Sequence, residues 1–307
     1  MRRTAAAILL ALLTSTSGAT GDNHCNGPGV HLQVLGSGGP IADDSRSSAA
    51  YLLWHDGRSR IMVDAGGGAF VRFGEAGADF EALDHVAISH FHTDHSADFI
   101  TLLKTGYFSE RTRPLGVSGP GAGGPFPSLD GYLARLIGVD GAYAYLGGYL
   151  DGSDGLVRLD AVTVDPASHS AVPVYESRTG DILVTGRGVP HGIVPTIAYR
   201  VSLDGRSVVF ASDQNGNDES FAAFARDADV LVMHMVVPED VTGAGRALHA
   251  PPGRIGEIAA AAGAKSLVLS HLMARSLEDL AGNVALVQRQ YGGPIHVATD
   301  LMCIEIR

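Results

Sequence analysis

Three histidines and an aspartate stand within six positions in Ser89-His90-Phe91-His92-Thr93-Asp94-His95. Neutral imidazole is a ligand for a borderline metal such as zinc, and a carboxylate adds charge and a hard oxygen donor. The apolar run Val86-Ala87-Ile88 directly precedes the cluster, so these residues leave the end of a strand. Side chains alternate along a strand, which puts His90 and His92 on one side, and Asp94 and His95 turn toward the same space from the loop. One pair of donors can hold one ion and the other pair a second ion close by. A lone His-x-His pair is commonly two solvated side chains. Four ligand-type residues converging after one strand point instead to a metal centre.

The His-x-His-x-Asp-His run resembles the signature of the metallo-β-lactamase superfamily. That resemblance implies further ligands, each following a strand, and three apolar runs supply them. Val189-Pro190-His191-Gly192 precedes the strand-like Ile197-Ala198-Tyr199-Arg200-Val201. Ser207-Val208-Val209-Phe210-Ala211-Ser212 runs into Asp213, and Ser266-Leu267-Val268-Leu269-Ser270 runs into His271. In superfamily order these are the third histidine, the bridging aspartate and the last histidine. The implied fold is α/β, a four-layer αββα sandwich with the metals at one edge, where strands of both sheets end.

The implied ligand sets are His90, His92 and His191 for one ion and Asp94, His95 and His271 for the other, with Asp213 between them. Two Zn2+ per chain are expected, and Mn2+ or iron also suits the carboxylate contacts. Such a pair lowers the pKa of a shared water and clamps the attacked centre, so the expected nucleophile is a bridging hydroxide, with Asp94 a second proton acceptor. His249 stands where the resembled proteins place a proton-shuttling histidine, which would protonate the leaving group; a helix-capping side chain is the plainer alternative. Asp64 follows Arg60-Ile61-Met62-Val63 and precedes three glycines, like the early aspartate that buttresses the metal loop. His234, after Val230-Leu231-Val232-Met233, reaches the same rim, behind the ligands or facing substrate.

Within the superfamily the likeness is to the branch holding ribonuclease Z and arylsulfatase- and phosphodiesterase-like hydrolases. It runs from the opening strand and glycine loop, Leu32 to Pro40, through Arg113 to Gly121, to the C-terminal block beginning at Leu248-His249-Ala250. Gln214-Asn215-Gly216-Asn217 departs from the Thr-containing turn usual after the bridging aspartate. His234-Met235 replaces an acidic-polar pair, and no basic, glycine-rich arm for transfer RNA is evident. The implied activity is a dinuclear metal-dependent hydrolase of small phosphodiester or sulfate esters. Lactonase or β-lactamase-like ring opening is the alternative, and an inactive metal-binding protein a third reading.

Of 307 residues, 22 are basic and 33 acidic, a formal net charge of −11. Polyanions are gripped by basic surface, so the expected partner is a small-molecule substrate and not nucleic acid. Arg2-Arg3 and the apolar Ala5 to Leu13, too short to span a bilayer, followed by small residues, predict a signal peptide over 1–21. The expected product is periplasmic or secreted, without stable membrane insertion, and open to homodimerisation. Cys25 and Cys303 can pair in an oxidising compartment, or stay free and buried.

Residues 22–307 suffice for one large core and form the hydrolase domain. Helices are expected over 96–104, 128–137, 219–227, 253–264 and 277–291. Residues 116–127 read as a loop, and Asp151 to Gly155 as a tight turn between strands.

Overall fold

Tyr51, Leu53, Ile61 and Val63 face one way, Leu52, Trp54 and Met62 face the other, and both sets are buried. Strands covered on both faces are apolar nearly throughout, which is the reason a period of two is hard to see in them. The computed structural model describes residues 25–307, so the expected signal peptide lies outside the described residues.

One seven-stranded sheet runs in the order β14-β1-β2-β3-β4-β5-β6. Its strands are β1 (Val30–Gly36), β2 (Ala50–His55), β3 (Arg58–Ala65), β4 (His85–Ala87), β5 (Leu115–Pro120), β6 (Leu159–Val164) and β14 (Met302–Ile306). The other runs β13-β12-β11-β10-β9-β8-β7. It contains β7 (Val172–Glu176), β8 (Ile182–Val189), β9 (Thr196–Leu203), β10 (Arg206–Phe210), β11 (Val230–His234), β12 (Leu267–Ser270) and β13 (Ile295–Val297). The inner faces pack as Val34, Tyr51 and Val63 against Tyr199, Phe210 and Val232.

Helices close both outer faces. Helices α1 (Ala69–Glu75), α2 (Thr93–Ser96), α3 (Phe99–Gly106), α4 (Leu129–Ile137) and α5 (Gly148–Asp151) lie in the half of the chain that builds the first sheet. Phe73, Phe99, Leu103 and Leu133 pack there on Leu52, Trp54 and Met62. Helices α6 (Phe221–Phe224), α7 (Gly243–Leu248), α8 (Pro252–Ala262), α9 (Ala274–Leu277) and α10 (Leu280–Gln290) follow, and Phe221, Ile255, Ile258 and Val287 cover Val209, Leu231 and Leu269 of the second sheet. Burying each such side chain contributes about 1.5–3 kcal/mol relative to leaving it exposed. The expected αββα sandwich is the observed one.

The local expectations need four corrections. Residues 115–120 are a strand and not the start of a loop, because β5 is paired in parallel on both sides, by β4 and β6. The helix expected from Ser96 restarts at Phe99, since Asp98 turns its carboxylate to accept from the Gly68 and Phe70 amides. The helix expected over 219–227 contracts to α6, and Asp151 to Gly155 joins a helix to a strand. Cys25 and Cys303 form a disulfide that ties the first described residue to edge strand β14. No helix among the described residues is long and apolar enough to cross a membrane.

Candidate metal centre

Strands β3 to β6 run parallel in one sheet and β10 to β13 run parallel in the other, so their C-terminal ends open on one rim. Ligands gather at such ends in sheets of this kind. The backbone there is held hard. Ile88 donates its amide to Ser118 O (2.8 Å), Ile197 donates to Ser89 O (2.9 Å), and Tyr199 Oη donates to Ile88 O (3.0 Å). The loop carrying His90 is thus pinned between both sheets. Asp64, Ser212 and His271 each take a left-handed conformation as a strand ends, with φ of 59°, 57° and 53°. That conformation is costly for residues other than glycine and persists where the surroundings enforce it. Here it turns each chain sharply enough to aim a side chain into the rim.

His90, His92, His191 and Asp213 bring one ligand atom each within 4.8 Å of one another, and so do His95, Asp213, His234 and His271. Asp213 faces both sets, Oδ2 toward His90, His191 and His95 and Oδ1 toward His271 and His234. Its Oδ2 lies 3.4 Å from His191 Nε2, 3.9 Å from His90 Nε2 and 3.7 Å from His95 Nε2, and its Oδ1 lies 3.7 Å from His271 Nε2. Asp94 Oδ2 is 3.1 Å from His271 Nε2 and 3.6 Å from His95 Nε2. Every sequence-predicted site residue therefore reaches this rim, His249 included, with its Nδ1 3.9 Å from Asp213 Oδ2.

The donor chemistry fits a divalent cation. His191 donates from Nδ1 to Leu248 O (2.9 Å), which leaves the Nε2 lone pair facing Asp213, and that buried nitrogen has no hydrogen-bond partner. His95 uses Nδ1 on Asp64 Oδ2 (2.8 Å), leaving Nε2 for the cluster. Metal-bound histidines typically spend their second nitrogen in this way. His95 Nε2 and His271 Nε2 stand 3.1 Å apart, and His90 Nε2 and His92 Nδ1 3.0 Å apart. Two nitrogens sharing a tetrahedral zinc would be separated by about 3.3 Å.

Electrostatics point the same way. Burial opposes charge on Asp213, yet His271, His95 and His191 outweigh it and hold its carboxyl well below the usual range. Burial likewise opposes charge on Asp94, and the His271 hydrogen bond with His95 beside it brings the group to about 2. For His95 burial is again the largest influence, but Asp64, Asp213 and Asp94 together hold the imidazole up at about 9. Burial lowers His90 and His92, takes His234 to about 4 and His249 to about 3. The anions stay ionised and His90, His92, His234 and His249 stay neutral, the states a metal requires, while His95 would give up a proton to the ion it binds.

Asp64 accepts from the Ser89 amide (2.7 Å), Ser89 Oγ (2.9 Å) and His95, so it buttresses the metal loop. His234 spends both nitrogens, Nδ1 on Asp213 Oδ1 (2.7 Å) and Nε2 on Tyr51 Oη (3.0 Å). Tyr51 Oη also hydrogen-bonds Ser270 Oγ (2.9 Å). Tyr51, Ser89 and Ser270 escaped sequence reasoning. Ser89 and Ser270 each adjoin a histidine already singled out, and only Tyr51, on the facing sheet, carries no local signal. Two glycines permit the close approach. A Cβ on Gly39 would stand 2.8 Å from His271 Cε1, and one on Gly66 would stand 2.1 Å from Asp94 O.

A rim of imidazoles and carboxylates at the strand ends of an αββα sandwich defines a metal-dependent hydrolase. The family model described as Metallo-beta-lactamase superfamily matches residues 43–247, and the chain belongs to that superfamily. It is 24% identical over 302 residues to a ribonuclease Z of Methanosarcina acetivorans, across 90% of this chain and 98% of the relative. It is 29% identical over 300 residues to a ribonuclease Z of Mycobacterium bovis, with the same coverage. The crystal structure of human tRNase Z, short form, matches with a TM-score of 0.69 at 17% identity, over 90% of this chain and 99% of that one. These relatives correct the expectation that nucleic acid is not a partner, for they carry the name of a ribonuclease. Net charge sums over the whole surface, whereas a polyanion is gripped locally, so −11 did not license the exclusion.

Proposed function

We propose that this hydrolase cleaves phosphodiester bonds, RNA among its substrates, with two divalent ions held at the rim. The position of Asp213, one carboxylate within 3.7 Å of histidines from both sets, carries the reading. His90, His92 and His191 would hold one ion, Asp94, His95 and His271 the other, and Asp213 both. Asp94 is preferred over His234 because both His234 nitrogens are already engaged. Zinc suits the imidazole-rich set. When bound, such a pair brings a water's pKa near neutrality and stabilises charge developing on the attacked group.

The chain's own residues orient and protonate. His234 fixes the Asp213 carboxylate, Asp64 fixes the His95 ring, and Asp94 can accept a proton beside its ligand role. His249 is buried beside the cluster, where burial holds its imidazole below the ordinary value; it would protonate the departing oxygen only as the doubly protonated ring, a charge that a bound anionic diester would stabilise. The ribonuclease Z relatives favour phosphodiesters over lactones and sulfate esters. Protein purified without chelator, then assayed on a transfer RNA, an aryl phosphodiester, an aryl sulfate and a lactone, tests this. Turnover of the two diesters is expected, and turnover of the sulfate or lactone alone rejects it. Replacing His249 by Ala should slow diesters with poor leaving groups by roughly 10²–10⁴-fold and nitrophenyl esters far less.

We also infer export. The Cys25–Cys303 disulfide supports this, since such bonds persist in oxidising compartments. N-terminal sequencing of natively expressed protein should show the chain beginning between Thr20 and Asp22; an intact Met1 rejects it.

A further inference from the structure

Asn215 and Arg246 belong neither to the ligand set nor to the core, yet both are tied by hydrogen bonds to the turn after Asp213 and to helix α7. Helix α7, which ends at His249, buries no residue, opens on Gly243 in a left-handed conformation and contains a second glycine, Gly245. Packing of the helix itself therefore does little to set where its C-terminal end points. Directed hydrogen bonds do, one of them from His191 Nδ1 to Leu248 O (2.9 Å). Asn215 Nδ2 donates to Ala247 O (3.0 Å), while its Oδ1 accepts from the Asn217 amide (3.0 Å), so the amide has a fixed orientation. Arg246 Nη1 donates to Asn215 O (2.9 Å) and Nη2 to Asn217 Oδ1 (3.1 Å). The Ala250 amide donates to Gln214 O (2.8 Å), closing the zip on the far side of His249.

The segment leaving Asp213 and the segment entering His249 are thus sewn together. His249 Nδ1 itself makes no hydrogen bond among the described residues, so its ring takes its aim from the backbone that carries it and from the His191 and His271 rings it packs against. We propose that Asn215 and Arg246 are positioning residues that aim His249 at the departing group, which rests on the reading of His249 as the leaving-group acid. The Gln-Asn-Gly-Asn turn is in this view a latch: the loop that presents the shared carboxylate also sets the acid's direction.

The experiment uses the full zinc-loaded chain and a series of aryl phosphodiesters of rising leaving-group pKa, with Asn215→Ala, Arg246→Met, the double variant, Arg246→Lys and His249→Ala. Each single latch variant should lower kcat by about 10–100-fold at the high-pKa end and little at the nitrophenyl end, steepening the leaving-group dependence. Bound zinc and KM should stay constant. The double variant should fall no further than the worse single, because the two residues act on one element. Arg246→Lys should regain part of the loss, keeping one donor for Asn215 O. The steepness does not depend on the fraction folded, so a destabilised variant still reports. Equal losses along the series, or lost zinc, overturn the positioning role. A steepened dependence in His249→Ala with none in the latch variants overturns it alone, whereas no steepening in His249→Ala removes the reading beneath it.

Discussion

At the far rim of the sandwich Asp84 accepts from Arg60 Nε and Arg113 Nη1, both at 2.5 Å, and Asp229 accepts from Lys265 Nζ (2.7 Å) and the Ser207 amide (2.7 Å). Arg111 spends its buried guanidinium on the carbonyl oxygens of Phe80, Glu81, Leu83, Arg113 and Pro114. The charged groups there are paired within the chain, and His85 Nδ1 beside Asp84 is a buried atom left without a partner. At the near rim the same two sheets end in lone pairs and anions with few protons to share, and His191 Nε2, His249 Nδ1 and His271 Nδ1 are left without partners. Buried polar atoms in native proteins are nearly all satisfied. Converging unpartnered nitrogens around a shared carboxylate on one rim, against paired charges and an unpartnered His85 nitrogen on the other, separate a site built for something not in the chain from one built for the fold.

The sharpest way to break this contrast is to remove the carboxylate that both histidine sets face. Asp213→Ala should abolish turnover and lower bound metal further than any single histidine change, read by elemental analysis against close to two equivalents in the parent. Retained metal and turnover would dissolve the distinction between the rims. One step back, Asp64→Ala should weaken metal affinity by about 10–100-fold, because it frees the His95 ring without deleting a ligand. A competitive chelator titration measures it, and an unchanged affinity would demote Asp64 to a turn residue. The smallest effect belongs to the far rim. Asp229→Asn should cost about 2 kcal/mol of stability at neutral pH and leave activity per folded molecule intact. Burial opposes the Asp229 charge, but its bonds to Lys265 and Ser207 hold the carboxyl below its ordinary value. A depressed folded pKa stabilises above the unfolded value and is lost as pH falls through the folded one. Denaturant curves of the two proteins should therefore converge below the usual carboxylate range. A gap that widened in acid would contradict the assignment.

Much of the near rim was legible because each ligand follows an apolar run, and strand ends are where a sequence advertises a side chain's direction. His90, His191, Asp213 and His271 could be located this way without knowing which strands pair. The edge strands were not. In β6 and β7 exposed residues interrupt the apolar pattern, as an edge with one face in water requires, and the 159–176 region lacks the signal that marks β10 or β12. Tyr51 was invisible for another reason: its contact with His234 spans 183 positions and crosses between the sheets. The break at Asp98 depends on two amides in the Gly68–Phe70 turn, a partnership that helix propensity cannot register. Net charge misled about nucleic acid because it carries no position at all.

The bond between Cys25 and Cys303 has a consequence for how the molecule comes apart. The sulfur atoms join positions 278 apart, so the intervening chain is a closed circuit. A protease that cuts one exposed loop opens the circuit without releasing a piece, and the nicked protein should migrate as a single band until a reductant is added. Neither edge strand β14 nor the segment at Cys25 can peel away without carrying the other with it.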